Sequence, residues 1–524
     1  MANIFFDIGL VMIIATVFAF IARFFKQPLI PAYILTGLII GPFLGLITNT
    51  EIITTLSEIG IAFLLFIVGL EIDFKKLSNV GIISTIGGLI QVLLVFTISF
   101  IIALFLGFIQ IEAVYLALVI AFSSTMIVIK LLSDKREIDT LHGRIIIGFL
   151  LMQDIIAIFV LSILTTLNEF SFLTLFYSII KGITIFLIAV FAGKYLFPTI
   201  FAFAAKSQEL LFVAAIAVSF LFSIVFNYIG FSIAIGAFVA GITLANLPYN
   251  LEIIGKIVPL RDFFSVLFFV SLGMQLLISS FGFILKPLII FLIITILIKP
   301  IVIMFICQFF GYKKRTSFLT SISLAQISEF SLIIAAQGLF FGHISQEMFS
   351  LTILLALITI GLTSYFIKFD IEIYSSLKEY LKIFDFMGKE KEQELEYFLK
   401  AKYEVILAGY NRIGFSIVRT LKRLRKNLLI VDFNPEVISK LVKEKMPCIY
   451  GDIGDLELLG RLDFKQAKLL ISTVPIQKDN LLLIKKAKEA NKKIIIFVTA
   501  NQIEEALDLY DMGADYVILP HFLG

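Results

Sequence analysis

The run LLMQDIIAI, residues 150–158, sets one acid, Asp154, with Gln153 beside it, inside a long apolar stretch. A charged carboxylate at the centre of a bilayer costs about 3 kcal/mol or more. Asp154 falls eleven residues beyond Gly143. At ~1.5 Å per helical residue that is ~16 Å, close to a bilayer midplane. An acid so placed needs a partner, a water-filled cavity or an ion.

Of the 524 residues, 60% are hydrophobic and 16% charged, against roughly half and a quarter in ordinary soluble proteins. Apolar runs repeat from Met1 to about Lys368, and then charge rises abruptly. That pattern predicts a polytopic membrane domain followed by a soluble one. The net charge of +4 concentrates in loops and does not imply nucleic acid. Cys307 and Cys448 have no partner at metal-ligand or disulfide-framework spacing and read as inert thiols. The first apolar run lacks a preceding basic flank and a small-residue cleavage site, so it reads as a first span.

Windows of roughly 20 apolar residues place spans near 4–22, 29–47, 52–72, 80–107, 111–131, 143–166, 171–200, 209–227, 229–246, 263–280, 284–310, 316–341 and 344–367. An odd count, about thirteen, puts the two ends on opposite sides. The junctions with Arg23/Lys26, Lys75/Lys76, Lys130/Lys135/Arg136, Lys206, Lys256/Arg261 and Lys313/Lys314/Arg315 fall on one side. The other side shows Thr48–Asn49–Thr50, Asn168–Glu169 and Gly342–His343. Basic loops stay cytoplasmic, so the C-terminal domain is expected in the cytoplasm and the N-terminus outside, in a cell membrane.

Two more ionisable residues, Lys299 and Glu329, come out near the middle of their spans. Intramembrane charges mark ion or proton pathways, or else form buried salt bridges without a transport role. Hydroxyls gather at similar depth: Ser123, Ser124 and Thr125 in AFSSTMIV, and Ser323, Gln326, Ser328 and Ser331 in SISLAQISEFS. Each cluster occupies the middle span of a three-span group, 80–166 and 284–367, and the groups enter from opposite sides. This is the layout of inverted repeats, in which broken helices meet at midplane and free backbone carbonyls coordinate a cation.

Six segments carry a family likeness: PLIPAYILTGLIIGP (28–42), LLFIVGLEIDFKKL (64–77), HGRIIIGFLLMQDIIAI (142–158), IAIGAFVAGITLANLPY (233–249), RDFFSVLFFVSLGMQL (261–276) and LAQISEFSLI (324–333). In order, they resemble the signature segments of CPA2 monovalent cation:proton antiporters, above all Kef-type potassium/proton antiporters. The resemblance implies an NhaA/NapA-like membrane fold of about thirteen helices with a dimerisation region and a moving core. There the spans near 111–131 and 316–341 cross as broken helices. It also implies that Asp154 is the ion-binding aspartate and Lys299 the lysine on the helix facing it. Gln153, Ser123, Ser124, Thr125, Gln326 and Glu329 complete the expected ion site.

Desolvation disfavours the charged form of a carboxylate, so a proton and a K+ or Na+ ion compete to neutralise Asp154. If only loaded forms cross, exchange is obligatory. One carboxylate predicts electroneutral 1:1 antiport. Relatives with two adjacent aspartates move net charge, whereas Gln153 cannot titrate; Glu329 leaves a second site of protonation open.

Residues 370–402 read as a charged linker helix. Residues 403–524 alternate short apolar strands (EVILAG, NLLIVD, CIYGD, KLLIST, KIIIFVTA, DYVILP) with amphipathic helices, the pattern of a doubly wound α/β sheet. GYNRIG, Gly409 to Gly414, follows the first strand and opens a helix as a variant dinucleotide fingerprint. Asp432 ends the next strand 18 residues past Gly414, where a ribose-binding acid is expected. Gly409, Asn411, Arg412, Ile413 and Gly414 would face the phosphates, and Asn411 in place of a central glycine crowds a pyrophosphate, which favours AMP or another adenine nucleotide over NAD(H). The segment resembles the Rossmann-like N-lobe of RCK (KTN) regulatory domains. That likeness adds Gly451 and Asp452 of YGD to the nucleotide site and implies a homodimer.

No hydride chemistry is expected: no substrate domain follows, and no catalytic His or Cys accompanies the fold, so the reading is a transporter and not an enzyme. The lobe ends at HFLG, either minimal or cut short. His142 and His343 read as exposed loop residues. The loop segment of glutathione-gated Kef proteins is not found. Alternatives are a Na+/H+ antiporter and a ligand-gated K+ channel, the latter without a TVGYG-like filter. A nucleotide sensor with a structural membrane anchor would not need buried Asp154 or so many spans.

Overall fold

A computed structural model describes residues 4–25, 27–47, 51–71, 83–135, 137, 140–164, 184, 189, 191–229, 232–277, 281–312, 314–377, 379–381, 397, 403–410, 412–424, 426–451, 453–454 and 456–520. The span expected at 171–200, most of the linker at 370–402, and Asn411 and Asp452 lie largely or wholly outside them. The chain divides into two compact units. One comprises Met1–Ser133, Ile145–Ile303 and Leu319–Ile373, and the other Asp134–Arg144, Met304–Phe318 and Tyr374–Gly524.

The helices run in order α1 (Ile4–Phe24), α2 (Leu29–Leu38), α3 (Glu51–Glu71), α4 (Gly88–Phe105), α5 (Gln110–Ala121), α6 (Thr125–Asp134) and α7 (Leu141–Leu164). They continue with α8 (Phe197–Ala204), α9 (Gln208–Tyr228), α10 (Ile233–Ala245), α11 (Asn250–Met274), α12 (Phe281–Ile293) and α13 (Lys299–Phe309). The last before the sheet are α14 (Lys314–Ser323), α15 (Glu329–Phe340), α16 (Gln346–Lys368) and α17 (Asp370–Leu377). Among the described residues, seven helices are long and apolar enough to cross a membrane. Leu29–Phe43, Ile233–Ala245 and Glu329–Phe340 are shorter apolar helices. The span expected at 263–280 begins earlier: α11 starts at Asn250, so Lys256 and Arg261 sit inside the helix. An apolar window begins where hydropathy rises, but helical hydrogen bonding continues through the polar turns before it.

Hydrophobicity does not drive helix against helix in lipid; close packing does, and small residues permit it. Two pairs of glycines do this here. A Cβ on Gly37 would lie 1.9 Å from the Val270 carbonyl oxygen, and one on Gly273 2.0 Å from that of Ile34. Likewise Gly69 and Gly241 admit the Phe238 and Phe66 carbonyls, at 2.3 and 2.2 Å from such a Cβ. The glycines of LTGLIIGP, IVGLE, VAGIT and SLGMQ are therefore the crossing points of α2 with α11 and of α3 with α10.

The second expectation concerned the spans near 111–131 and 316–341, and both are broken. α5 ends at Ala121, Phe122 is extended (φ −91°, ψ 151°) and α6 restarts at Thr125. α14 ends at Ser323 and α15 restarts at Glu329 after an extended Ser328 (φ −92°, ψ 157°). The restart has a local cause. Ser124 Oγ accepts the Ile127 N–H (3.3 Å), and Ser328 Oγ accepts that of Phe330 (3.1 Å), the latter within a reciprocal cap with Ser331. Hydroxyls at a helix start satisfy N–H groups that have no partner inside the helix.

In the second unit, β1 (Val405–Ala408), β2 (Leu428–Asp432), β3 (Cys448–Tyr450), β4 (Leu469–Ser472), β5 (Ile495–Thr499) and β6 (Tyr516–Ile518) form a parallel sheet in the order β3-β2-β1-β4-β5-β6. Helices α18 (Arg412–Arg423), α19 (Pro435–Lys443), α20 (Leu456–Arg461), α21 (Gln477–Ala490) and α22 (Ile503–Asp511) make the crossovers. Strands β1 to β4 are almost wholly buried, as a sheet covered on both faces requires. The same unit takes in segment 304–318: Arg315 donates to Asp479 Oδ1 (3.3 Å), and Tyr450 Oη to the Gly311 carbonyl (3.2 Å).

Candidate functional site

Breaking two helices frees backbone groups in a medium with little water, and each must find a partner. The accounting at this crossing is nearly complete. Lys299 Nζ donates to the carbonyls of Ile120 (3.0 Å), Phe122 (2.9 Å) and Gln326 (2.8 Å), spending all three N–H groups of an ammonium. Ser331 Oγ donates to Val119 O (2.7 Å), and Ser123 Oγ to Leu324 O (3.0 Å). The Ile327 N–H reaches Thr359 Oγ1 (3.3 Å). Two of these hydroxyl bonds run from one broken helix to the other, and Lys299 bridges both breaks.

The carbonyls of residues 119–122, 324 and 326 each accept a side-chain donor, which leaves one lone pair apiece. Lys299 also has a different task from pairing with Asp154. Among the described residues neither of them takes part in an ion pair. The ammonium instead neutralises the carbonyl ends of two half-helices, where the helix dipole is negative. Periodicity places Lys299 at the right depth but cannot say which acceptor it meets.

The acids lie at the opposite, N-terminal ends of the half-helices. Asp154 is 5% exposed, and its Oδ2 accepts from the hydroxyl of Thr125, the first residue of α6 (2.8 Å). Glu329, the first residue of α15, is buried and accepts from Ser124 Oγ (2.5 Å). The charges of Glu329 and Glu71 act on Asp154, and that of Arg261 on Glu329. The Gln326 amide is fully buried, and neither of its polar ends has a hydrogen-bond partner among the described residues. Thr125, Asp154, Glu329, Ser124 and Ser123 are thus gathered at one crossing.

Gln153 is placed differently. Its Oε1 accepts the Ser123 N–H (2.8 Å), and its Nε2 donates to Gln91 Oε1 (2.5 Å). Gln91 Nε2 in turn donates to the Ala121 carbonyl (3.1 Å). Gln153 therefore holds the break, its Oε1 accepting one hydrogen bond and its Nε2 donating one. Sequence reasoning missed Gln91, a lone amide on α4 in an apolar run, and Glu71, which falls at a span end and reads as a loop charge.

The two histidines are not free loop residues. His142 is buried and contacts Glu137 Oε2 (3.2 Å) and Thr140 Oγ1 (3.2 Å). Burial alone would push the Glu137 carboxyl up. The His142 hydrogen bond and the charges of His142 and Lys135 outweigh it and hold the carboxyl below its ordinary range. His343 Nδ1 meets the Tyr115 hydroxyl at 2.9 Å. Glu137 and Thr140 satisfy His142 from two to five positions away, and Tyr115 meets His343 from 228 positions away, which hydropathy cannot register.

In the α/β sheet the strand order reverses between β1 and β4, and ligands of such sheets bind in the crevice at that reversal. Gly409 follows β1 with φ +90°, and a Cβ there would meet Thr473 Oγ1 at 2.5 Å. A Cβ on Gly414 would lie 2.0 Å from the Gly409 carbonyl oxygen. These two glycines let α18 start against the turn. Asp432 accepts the backbone N–H groups of Tyr410 and Asn434 (2.7 Å each). Burial pushes its carboxyl up, against the pull of those two bonds. It fastens the glycine turn to β2 and keeps one further lone pair per oxygen. The Gly451 N–H returns to the Asp432 carbonyl (2.9 Å). Thr473, beyond β4, donates to the Gly409 carbonyl (3.1 Å); a lone threonine offered no signal in the sequence.

Comparison with known proteins adds lineage. A family described as "Sodium/hydrogen exchanger, transmembrane" matches residues 10–369, and the TrkA-N domain matches 405–520. The putative cation/proton antiporter YbaL of Escherichia coli (strain K12) is 26% identical over 97% of this chain and 93% of its own length. The glutathione-regulated potassium-efflux protein KefC of Escherichia fergusonii is 26% identical over 92% of this chain and 77% of its own. K(+) efflux antiporter 5 of Arabidopsis thaliana is 28% identical over 67% and 64% respectively. The sodium proton antiporter MjNhaP1 of Methanocaldococcus jannaschii superposes with a TM-score of 0.54 at 18% identity, covering 72% of this chain and 97% of that one. The last comparison bears on fold alone.

Proposed function

Because the chain belongs to the sodium/hydrogen exchanger family, we propose that it exchanges a monovalent cation for a proton across a membrane, with K+ leaving as H+ enters. The observation that carries the reading is Asp154: a buried carboxylate with a hydroxyl beside it and no ion-pair partner among the described residues. Proton and cation take turns neutralising it, and alternating access to the two faces makes the exchange obligatory. Thr125 orients the carboxylate. The Gln326 amide oxygen is a candidate ligand, as are the Ser123 and Ser124 hydroxyls when turned from their present acceptors. Lys299 is structural in this reading, and one titrating acid gives electroneutral 1:1 exchange. Potassium is favoured by the relatives named as K+ efflux proteins, and sodium is the second reading.

Dye quench in vesicles, titrating K+ and Na+ separately, decides between them: the expected result is an apparent affinity for K+ well above that for Na+. Equal or reversed affinities would replace K+ by Na+ in this account.

Residues 1–369 form the exchanger, 370–402 the linker and 403–524 the regulatory lobe. The lobe lies in the cytoplasm of an inner membrane protein whose N-terminus faces out, and two copies pair. An adenine nucleotide, AMP or NAD(H), binds at Gly409–Gly414. Segment 304–318, part of the same compact unit as the sheet, contains the first half of α14. This is the route by which nucleotide occupancy reaches a broken helix. Gly414→Ala is expected to eliminate nucleotide binding, because its methyl cannot share space with the Gly409 carbonyl. Thermal-shift titration of the full chain with AMP and with NADH is the check. An unchanged shift in the variant would remove this turn as the binding site.

A further inference from the structure

We propose that Gln91 is a positioning residue for ion exchange: acting through Gln153, it holds the first helix break in register and keeps the side chain beside Asp154 neutral. The inference rests on the antiport reading above and assigns the part that sets its proton count.

The chain of bonds runs from the Ser123 N–H to Gln153 Oε1, from Gln153 Nε2 to Gln91 Oε1, and from Gln91 Nε2 to the Ala121 carbonyl. Its ends admit one direction only, since a backbone N–H can only donate and a backbone carbonyl can only accept. Neither amide can flip without opposing two donors at one end or two acceptors at the other. Both glutamines are buried, at 0% and 1% exposure, so water cannot substitute. α4 and α7 are thereby tied to the ends of the break, and Thr125, the partner of Asp154, follows it directly.

A consequence concerns charge. With Gln91 held at Ala121, its Oε1 faces position 153 and demands a donor there. An ionised carboxylate at 153 would set two acceptors against each other at 2.5 Å. A neutral carboxyl would fit, donating its O–H to Gln91 and accepting from Ser123. Gln91 thus excludes a second negative charge next to Asp154.

The test uses the full-length protein in proteoliposomes, with a K+ gradient, a pH-sensitive dye and an imposed membrane potential. Gln91→Leu and Gln153→Leu should each lower the maximal exchange rate ~10-fold or more, with less effect on KM for K+. The double variant should be no slower than the slower single, because the two residues act as one unit. Gln153→Glu and Gln91→Glu should retain exchange at acid pH, insensitive to membrane potential, and lose it as the introduced carboxyl ionises. Normal turnover in the Leu variants, or Glu variants as slow as Leu at every pH, would overturn the proposal. So would potential-dependent exchange by Gln153→Glu. Thermal unfolding supplies a readout apart from transport: the Tm losses of the Leu variants should not add, and additive losses overturn the clamp alone. A wild-type protein that moves no protons in response to K+ or Na+ instead overturns the antiport reading, and this inference with it.

Discussion

Replacement of Asp154 by asparagine is expected to abolish cation-dependent proton movement in proteoliposomes while leaving the fold intact. The amide has the shape of the carboxylate, and its oxygen still accepts from Thr125 Oγ1, 2.8 Å away in the native protein. What it lacks is the ability to exchange a proton for a cation. Burial favours this substitution, since a buried ionised group carries a desolvation penalty of several kcal/mol that asparagine avoids. Tm is therefore expected to hold or rise as transport disappears. Glu329 is the rival carrier. It is buried too and also accepts from a hydroxyl, but it is the first residue of α15, whereas Asp154 lies in the middle of α7. Glu329→Gln should slow exchange or lower Tm without abolishing exchange. Retained exchange in Asp154→Asn, with loss in Glu329→Gln, would move the ion site from one acid to the other.

The second large effect is expected at Lys299. Replacing it with methionine preserves the straight apolar stem and removes donors to Ile120, Phe122 and Gln326. Three carbonyls at the crossing then lose their partner in a buried setting, and the destabilisation is on the order of 3–6 kcal/mol. Thermal unfolding of the purified protein measures it. The same experiment separates two accounts of the lysine. If it served to neutralise Asp154, adding Asp154→Asn to Lys299→Met would restore much of the lost stability. If it serves the carbonyls, the second substitution restores little. A Lys299→Met protein with native Tm would refute both.

These expectations show where sequence reading stops. Asp154, Lys299, Glu329 and the hydroxyl clusters stood out because an ionisable or polar residue deep in an apolar run is physically expensive and so conspicuous. Gln91 and Thr473 did not, since a single uncharged polar residue outside any cluster carries no such mark until its partner is known. Gln153 was visible beside Asp154, but its partners were not. Only its acceptors and donors, on residues 30 and 62 positions away, reveal a clamp. The serines at 124 and 328 look like possible ion ligands in one dimension, and in three they also cap the restarting helices.

The chain's own pattern determined the division into membrane and soluble parts, most span positions, the two three-span groups and the alternation of strands and helices in the α/β lobe. Those follow from hydropathy and period, which are local. The tertiary structure decided which helix each glycine admits, which carbonyls Lys299 serves, and which partners Gln153 meets. The reason is that hydrogen bonds and close contacts are pairwise and directional. Residues far apart in the chain become donor and acceptor only once the breaks at 122–124 and 324–328 meet.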